Sequence, residues 1–295
     1  MTREGALELL SDELEVVILP DVGGRVHRIR AFGEDLLRTP DDPATHDADP
    51  FYWGAYVMAP WCNRAAPGPM EVAGRRVNLA SNFPDGTAIH GLVSSARWVR
   101  EPSGELVVRP NAVQAWPWHF EVRQSARLAG PTLELEYGLT NLDGTAPMPA
   151  GLGLHPWFIR PVELRVPGET VYASNTGSAP EPEPVNGDLD LRALAPPVDG
   201  LDGTWNGLTE RRLELAWPER GIRAVVDVET DAEAVLVAVA TPSEVDAIAV
   251  EPETHGPDPL RRLATGEPDP PRLLPAGASM RLAIRVTAEL IGRAR

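Results

Sequence analysis

The feature that most constrains this chain is the alternation of apolar and polar residues with a period of two. Between Thr132 and Thr140, leucine and tyrosine alternate with glutamate, and Phe120–Leu128 and Met280–Thr287 alternate apolar with charged residues. Shorter runs of the same kind lie at Val16–Leu19, Val26–Ala31, Glu105–Arg109, Leu213–Trp217, Arg223–Glu229, Val235–Ala240 and Ala247–Glu251. Because successive side chains of a β-strand point to opposite faces, the pattern predicts half-buried antiparallel strands.

Turn-forming residues separate these strand candidates, and convincing long amphipathic helices are absent. The 31 prolines and 26 glycines fall mostly between the alternating segments. Many short strands with turn signals between them predict an all-β sandwich or barrel. Since the strands continue from one end to the other, we expect one domain over residues 1–295.

Two stretches are predicted to be exposed loops. Asp41–Pro50 is acidic and contains proline, and Thr176–Gly200 is rich in proline, glycine and acidic residues. A loop as long as the second is usually functional or mobile in a compact domain, so whether it closes over a site is an open question.

Composition restricts the compartment and the partners. The one cysteine, Cys62, allows no internal disulfide and fits a reducing compartment. The amino-terminal segment lacks the apolar region of a signal peptide, and no apolar run approaches the roughly 20 residues of a membrane span. The formal charge of −16 disfavours nucleic acid and anionic membrane as partners. We therefore expect a cytoplasmic protein that binds a neutral small molecule.

Several common catalytic motifs are missing. The histidines have no HExxH spacing, and a single cysteine makes no zinc site, so no metal is expected. The glycine-rich segments match neither GxGxxG nor the phosphate-binding loop. Without Gly-x-Ser-x-Gly, an α/β-hydrolase is also disfavoured.

His155, in the segment GLGLHPWF, is the first candidate for chemistry. Pro156 restricts it to extended geometry and predicts that a strand ends there. Flanked by Trp157 and Phe158, the imidazole could project into a sugar-sized cleft. The alternative is a core histidine bonded to a backbone carbonyl.

Glu251 is the second candidate. It ends the apolar run Ala247–Val250 and precedes Pro252. A carboxylate at the end of such a run is either buried, in which case it is paired or functional, or the strand has emerged into solvent with Glu253 as a second surface acid.

Other polar residues near strand ends are weaker candidates. Asn63 and Arg64 follow an apolar run, His90 precedes a glycine, and Asp202 begins a turn-like segment that contains Trp205. Each of these alone is equally typical of a turn or a solvated strand edge.

Taken together and in order, these segments resemble the aldose 1-epimerase, or galactose mutarotase, family. The matching segments are CNRAAPGPMEVAGRRVNLASN, TAIHGL, GLGLHPWF, LDGTWNGL, AVEPETHGPDPL and the closing LLPAGASMRLAIRV. The resemblance covers nearly the whole chain, and its most specific parts are the His-Pro-aromatic motif and the glutamate segment. Glu253 departs from the family, which usually has an uncharged polar residue there.

The resemblance implies a large antiparallel β-sandwich of the galactose mutarotase-like type and an enzyme that interconverts sugar anomers. In this interpretation Glu251 is the base and His155 the acid, which suits an imidazole whose ordinary pKa lies near neutrality. The sugar-binding residues would be Asn63, Arg64, His90, Asp202 and Trp157, with Trp205 as another indole that could lie against the sugar ring. No metal or organic cofactor is required, and a monomer or homodimer is expected.

Three alternatives stay open at this point. A hexose-6-phosphate 1-epimerase would need a basic patch for the phosphate, such as Arg75-Arg76 or Arg211-Arg212. A non-catalytic sugar-binding or sensing module could share the fold. A glycosidase could use Asp202 and Glu251, although His155 would then lack a role.

Overall fold

The protein is built almost entirely of β-strands, as its period-two pattern predicts. A computed structural model describes residues 5–42, 44–111, 114–174 and 181–292. The strands are β1 (Leu7–Leu10), β2 (Leu14–Leu19), β3 (Arg25–Ala31), β4 (Glu34–Asp35), β5 (Ala55–Met58), β6 (Arg64–Ala65), β7 (Gly68–Val72), β8 (Arg75–Leu79), β9 (Ala88–Ile89), β10 (Val99–Arg100), β11 (Leu106–Val108), β12 (Phe120–Ala129), β13 (Thr132–Asn141), β14 (Met148–Ala150), β15 (Gly153–Ile159), β16 (Glu163–Arg165), β17 (Gly168–Tyr172), β18 (Glu183–Pro184), β19 (Asp202–Leu208), β20 (Arg212–Trp217), β21 (Ile222–Thr230), β22 (Leu236–Ala240), β23 (Ala247–Glu253), β24 (Arg272–Leu274) and β25 (Ser279–Leu290). The helices are α1 (Thr45–Ala48), α2 (Pro259–Thr265) and a 3₁₀ helix at Gly187–Leu189.

Most of the strands form two large antiparallel sheets. The first has 11 strands in the order β1-β2-β3-β5-β15-β23-β22-β19-β17-β18, with β4 paired to β3. The second has 8 strands in the order β10-β11-β12-β13-β25-β21-β20-β16. Short two-stranded ribbons, β6 with β9, β7 with β8 and β14 with β24, lie beside them. The predicted antiparallel β-sandwich is confirmed.

The core between the two sheets is filled by one face of each. On the first sheet, Phe158 and Val250 point inward, and on the second Leu135, Ile284 and Val226 line the same apolar space. Because side chains alternate along each strand, the residues next to these in sequence must lie on the opposite face of the first sheet. That opposite face carries the cavity described below.

The expected end of a strand at His155-Pro156 is wrong, since β15 runs on to Ile159. Pro156 lies opposite Ala55 of β5, while the paired positions between β15 and β23 skip from Gly153 to Trp157. The missing N–H of Pro156 therefore falls in a break in this ladder, where a proline can be accommodated inside a sheet.

The two predicted loops contain more structure than expected. Helix α1 lies in Asp41–Pro50, and β18 and the 3₁₀ helix lie in Thr176–Gly200, of which residues 176–180 are outside the described part. In the second segment Val185 and Leu191 are buried, and the backbone N–H of Val166 donates to the carbonyl oxygen of Leu191. An entirely exposed loop is therefore wrong for the described portion, because two isolated apolar side chains anchor it.

No helix in the described ranges is both long enough and apolar enough to cross a membrane.

Candidate active site

Strand register brings His155 and Glu251 together on the open face of the first sheet. Gly153 lies opposite Glu253 and Trp157 opposite Ala249, so the same register puts His155 opposite Glu251. Directly opposed residues of antiparallel strands hold their side chains on one face and in contact. The imidazole Nε2 lies 3.1 Å from Oε1 of Glu251, and each side chain is only 5% exposed.

The neighbouring strands complete a row across the sheet. On one side Tyr56 lies opposite His155, with its ring stacked on the imidazole at 4.5 Å between centroids. On the other side Ala238 lies opposite Glu251, and Thr204 lies opposite Ala238. The His155–Glu251 pair is thus held between an aromatic ring and a small side chain.

A parallel row forms the rest of the cavity floor. Trp157 lies opposite Ala249, Ala249 opposite Ala240, and Ala240 opposite Asp202. Ala249 and Ala240, on neighbouring strands, lie between the indole of Trp157 and the carboxylate of Asp202, and their small side chains leave open space above the sheet. The local sequence, with small residues at alternate positions of β22 and β23, is therefore what makes room for a ligand.

Asn63 and His90 flank two short paired strands beside the sheet, Asn63 just before β6 and His90 just after β9, and they hold each other in place. Strand β6 pairs with β9, the N–H of His90 donates to the carbonyl of Asn63, and the N–H of Asn63 donates to Nδ1 of His90 at 3.2 Å. Both residues have left-handed backbones, with φ of 57° and 59°. Asparagine and histidine tolerate this region better than most residues, and such strain clusters at functional sites.

The same hydrogen bond sets the tautomer of His90. Since Nδ1 accepts from the Asn63 N–H, the neutral ring carries its proton on Nε2 and presents an N–H donor. His90, His155 and Glu251 each have one possible metal-ligand atom, and these three atoms lie within 4.8 Å of one another. This is a spacing at which a metal ion could be bound. Because neither nitrogen of His90 has a free lone pair in this tautomer, the arrangement favours a hydrogen-bond donor over a metal ligand.

Arg64 enters the cavity between two carboxylates. Its Nε lies 2.7 Å from Asp85 and its Nη1 lies 3.8 Å from Asp202. The guanidinium also lies over the ring of Phe83, 5.4 Å from the centroid. Its charge is therefore already largely balanced by the protein.

These groups line one cavity of about 400 Å³, within the range of small-molecule sites. All but one of the site residues suggested by the sequence line it, and these are Asn63, Arg64, His90, His155, Trp157, Asp202 and Glu251. Trp157 is fixed by its indole N–H, which donates to the carbonyl of Phe51. The sequence-based prediction therefore placed all of these residues in one shared space.

Trp205, the other indole suggested as a sugar platform, lies elsewhere. It is fully buried, and its indole N–H donates to the carbonyl oxygen of Leu189 at 2.8 Å. Asp202 and Thr204 point to the cavity face of β19, so the odd-numbered neighbour must point to the core. The suggestion that Trp205 lies against a sugar ring is wrong, because side chains alternate along β19 and this indole is on the core face.

One wall of the cavity is aromatic, and the sequence analysis does not predict it. It consists of Phe51, Tyr52, Tyr56 and Phe83, and Phe51 packs edge-to-face on Phe83 at 5.2 Å. The consecutive aromatics Phe51, Tyr52 and Trp53 directly after an acidic loop were the available signal.

Burial shifts the pKa values of the central pair in opposite directions. Burial lowers the pKa of His155 well below its ordinary value, assisted by the adjacent His90. Burial raises the pKa of Glu251 well above its ordinary value, and the charge of Glu253 raises it further. The pKa of His155 in the protein thus departs from the ordinary near-neutral value that suits an imidazole acid, because a desolvated site disfavours both charged forms. In the free protein the pair favours its neutral form, with the proton on Glu251.

Two neighbours share this environment. Burial, with help from the charge of Arg64, lowers the pKa of His90 to about 3. Burial raises the pKa of Glu253 to about 8, against a hydrogen bond from Asn63 that lowers it. Burial therefore favours the neutral forms of His90 and Glu253 as it does those of His155 and Glu251.

The fold and the cavity define a class: a galactose mutarotase-like β-sandwich with a buried histidine–carboxyl pair at the floor of its cavity. The chain belongs to the aldose 1-epimerase family, whose model matches residues 6–286. A comparison with curated proteins found no match.

Solved structures of low sequence identity share the whole fold. A galactose mutarotase-like protein from Clostridium acetobutylicum has a TM-score of 0.81 at 16% identity, covering 97% of this chain and 95% of that one. An Escherichia coli K12 protein provisionally described as an aldose 1-epimerase has a TM-score of 0.80 at 20% identity, covering 97% and 99%. A galactose 1-epimerase from Lactobacillus acidophilus has a TM-score of 0.75 at 15% identity, covering 99% and 97%.

Proposed function

We propose that the protein is an aldose 1-epimerase that interconverts the α and β anomers of a free, unphosphorylated hexose. The observation that supports this most is the His155–Glu251 pair, with 3.1 Å between Nε2 and Oε1, at the floor of a cavity of sugar size. Anomer exchange requires one group to take the proton of the C1 hydroxyl and another to protonate the ring oxygen. A carboxyl and an imidazole side by side can do both.

The proton count of the pair matches the reaction. In the sugar complex the proton moves from Glu251 to His155, which gives a carboxylate and an imidazolium. Glu251 then removes the proton of the C1 hydroxyl while His155 protonates the ring oxygen, so that the bond from C1 to the ring oxygen breaks and C1 becomes an aldehyde. Rotation about C1–C2 and the reverse steps close the ring as the other anomer.

Burial contributes to the direction of these transfers. Ring opening converts a buried ion pair into a neutral carboxyl and a neutral imidazole, which is the form that desolvation favours. Each of the two positioned groups is expected to contribute roughly 10²–10⁴-fold to the rate. Hydrogen bonds from sugar hydroxyls offset the free energy needed to form the ion pair before opening.

The other cavity residues bind and orient the sugar in this proposal. His90 donates from Nε2 to the ring oxygen or to a hydroxyl, Asp202 accepts from hydroxyls, and Trp157 faces the apolar side of the ring. Arg64 donates to hydroxyls with the part of its guanidinium that the aspartates leave available. Asn63 acts through the turn, since its Oδ1 accepts from the N–H of Arg64 at 2.8 Å.

The electrostatics of the cavity disfavour a phosphorylated substrate. Among the described lining residues, Arg64 is the only cation, and it is bound to Asp85 and lies beside Asp202. Neither Arg75-Arg76 nor Arg211-Arg212, considered above as phosphate sites, lines the cavity. A phosphate dianion would therefore meet carboxylates without a matched guanidinium.

The decisive experiment compares anomer exchange in the wild type and in Glu251→Gln. Polarimetry on freshly dissolved α-galactose and α-glucose should show acceleration by the wild type and a loss of about 10³-fold or more in the variant. Sugar binding, measured by calorimetry, should persist. The control Glu244→Gln removes a carboxylate from the cavity mouth and should alter KM more than turnover.

The outcomes separate the alternatives. Saturable sugar binding without acceleration by the wild type would identify a binding module. Exchange of glucose 6-phosphate in preference to free hexoses would identify the phosphate-specific enzyme. Release of nitrophenol from aryl glycosides would identify a glycosidase.

A further inference from the structure

His255 lies just beyond the strand that carries Glu251, and both of its ring nitrogens are engaged. The residue is fully buried. Its Nε2 accepts a hydrogen bond from the backbone N–H of Cys62 at 3.0 Å, and Nδ1 lies 2.8 Å from the carbonyl oxygen of Gly256. An acceptor at Nε2 requires the proton on Nδ1, so the ring has one defined tautomer.

The ring is also confined by the segment that leads into the strand of His155. A Cβ built on Gly151 would lie 2.2 Å from Cδ2 and 2.3 Å from Nε2 of His255, so only glycine fits there. The N–H of Gly151 in turn donates to the carbonyl oxygen of Pro60 at 2.7 Å. One imidazole therefore contacts the segments that lead to Asn63 and to His155, and it lies on the segment that follows Glu251.

Consecutive amides of the Cys62–Asn63 turn donate to two different imidazoles. The Cys62 N–H donates to Nε2 of His255, and the next N–H, that of Asn63, donates to Nδ1 of His90. These two amides lie in adjacent peptide planes that meet at the Cα of Cys62, so only the φ and ψ angles of Cys62 separate the direction of one N–H from that of the other. The left-handed φ of 57° at Asn63 shows that the turn does not have a relaxed conformation.

We infer that His255 is a positioning residue for the sugar site: by accepting the Cys62 N–H it fixes the Cys62–Arg64 turn, and through the Asn63 N–H it keeps His90 in the tautomer with Nε2–H facing the cavity. The catalytic consequence rests on the proposed function, whereas the tautomer of His90 does not. His255 touches no substrate and moves no proton in this role.

A matched pair of substitutions separates positioning from packing. In His255→Gln the side-chain oxygen can occupy the place of Nε2 and still accept the Cys62 N–H. In His255→Asn the shorter amide replaces Nδ1 and leaves that N–H without an acceptor. His27→Asn, at another buried histidine outside the cavity, controls for the loss of a buried imidazole.

The expected result is a split between the variants. His255→Asn should raise KM for galactose about tenfold or more, while kcat falls about threefold or less, and His255→Gln and His27→Asn should keep KM within about threefold of wild type. In ¹⁵N NMR spectra of the histidine rings, wild-type His90 should have its proton on Nε2, and His255→Asn should mix the two tautomers. Thermal unfolding of each variant records how much of any change is loss of folded protein.

Specific results overturn the inference. A wild-type His90 with its proton on Nδ1 refutes it without any variant, as does an unchanged His90 spectrum and KM in folded His255→Asn. If the wild type accelerates no anomer exchange, the proposed function fails, yet the ring spectra still test the positioning role. If His255→Asn does not fold, His255→Gln and the wild-type spectrum carry the test.

Discussion

Along β15 and β23, the two faces of the first sheet are equally buried and chemically opposite. Phe158 and Val250 point into the core between the sheets, and His155 and Glu251 point into the cavity, all with at most 4% of their surface exposed. On the core face, removal of apolar surface from water stabilises the fold. On the cavity face, the same removal from water shifts proton affinities. Burial alone therefore does not predict what a residue contributes; its face of the sheet does.

The largest expected effect is a loss of turnover caused by a substitution on the cavity face of the sheet. His155→Asn should lower kcat for anomer exchange by roughly 10²–10⁴-fold, because the ring oxygen loses its proton donor. The variant should remain folded, since asparagine keeps a polar side chain beside Glu251. Polarimetry together with calorimetric melting tests this, and a normal turnover number in the folded variant would refute the assignment of the acid.

The core-face counterpart is Phe158→Ala. Removing the ring should reduce the free energy of unfolding by about 3–5 kcal/mol, because a cavity opens between the sheets. The folded fraction should keep its kcat within about threefold. Urea unfolding measures the loss of stability, and activity per folded molecule measures kcat. A loss of turnover with unchanged stability would contradict the assignment of Phe158 to the core face.

A smaller effect comes from adjacent residues of β22 that point in opposite directions. Ala240→Leu should fill the cavity floor and weaken sugar binding by about 1–3 kcal/mol, or roughly 5- to 150-fold in KM. Val239→Leu, one position away, should instead strain the core and lower stability while KM stays near wild type. Equal effects of the two substitutions on KM would contradict the alternation.

The last expected effect is on stability alone, through the pH dependence that Glu253 introduces. Its pKa is about 8 in the folded protein and about 4.3 in an unfolded chain, so the folded state binds more protons between these values. Stability should therefore fall as pH rises from about 4.5 to 8. Glu253→Gln, which cannot ionise, should match wild type most closely near pH 4 and exceed it by a margin that grows as the pH rises to 8, since each unit of pKa difference corresponds to about 1.4 kcal/mol. Unfolding curves at the two pH values measure the difference, and an equal difference at both would show that the carboxyl is already ionised.

The sequence was sufficient for most strands and for seven of the residues that line the cavity, because both signals are local. Period-two alternation marks β12, β13 and β25 without any tertiary information. The motifs around His155 and Glu251 are also short, and each residue stands at a recognisable place in its own strand.

The remaining features depend on contacts between distant segments. The break that accommodates Pro156 depends on the ladder between β15 and β23, and the aromatic wall brings Phe51 next to Phe83 across a long stretch of chain. The low pKa of His155 follows from complete burial beside His90, which no local pattern reveals. Only the assembled sheet supplies these facts.

The register between β15 and β23 has one more consequence. A slip of a single residue would turn every side chain of β23 over, so that Glu251 would enter the apolar core and Val250 would face the sugar. Misfolded pairing would therefore lose stability and chemistry in the same step. If the proposed function holds, epimerase activity also reports on folding, since it requires β15 and β23 to be paired in this register.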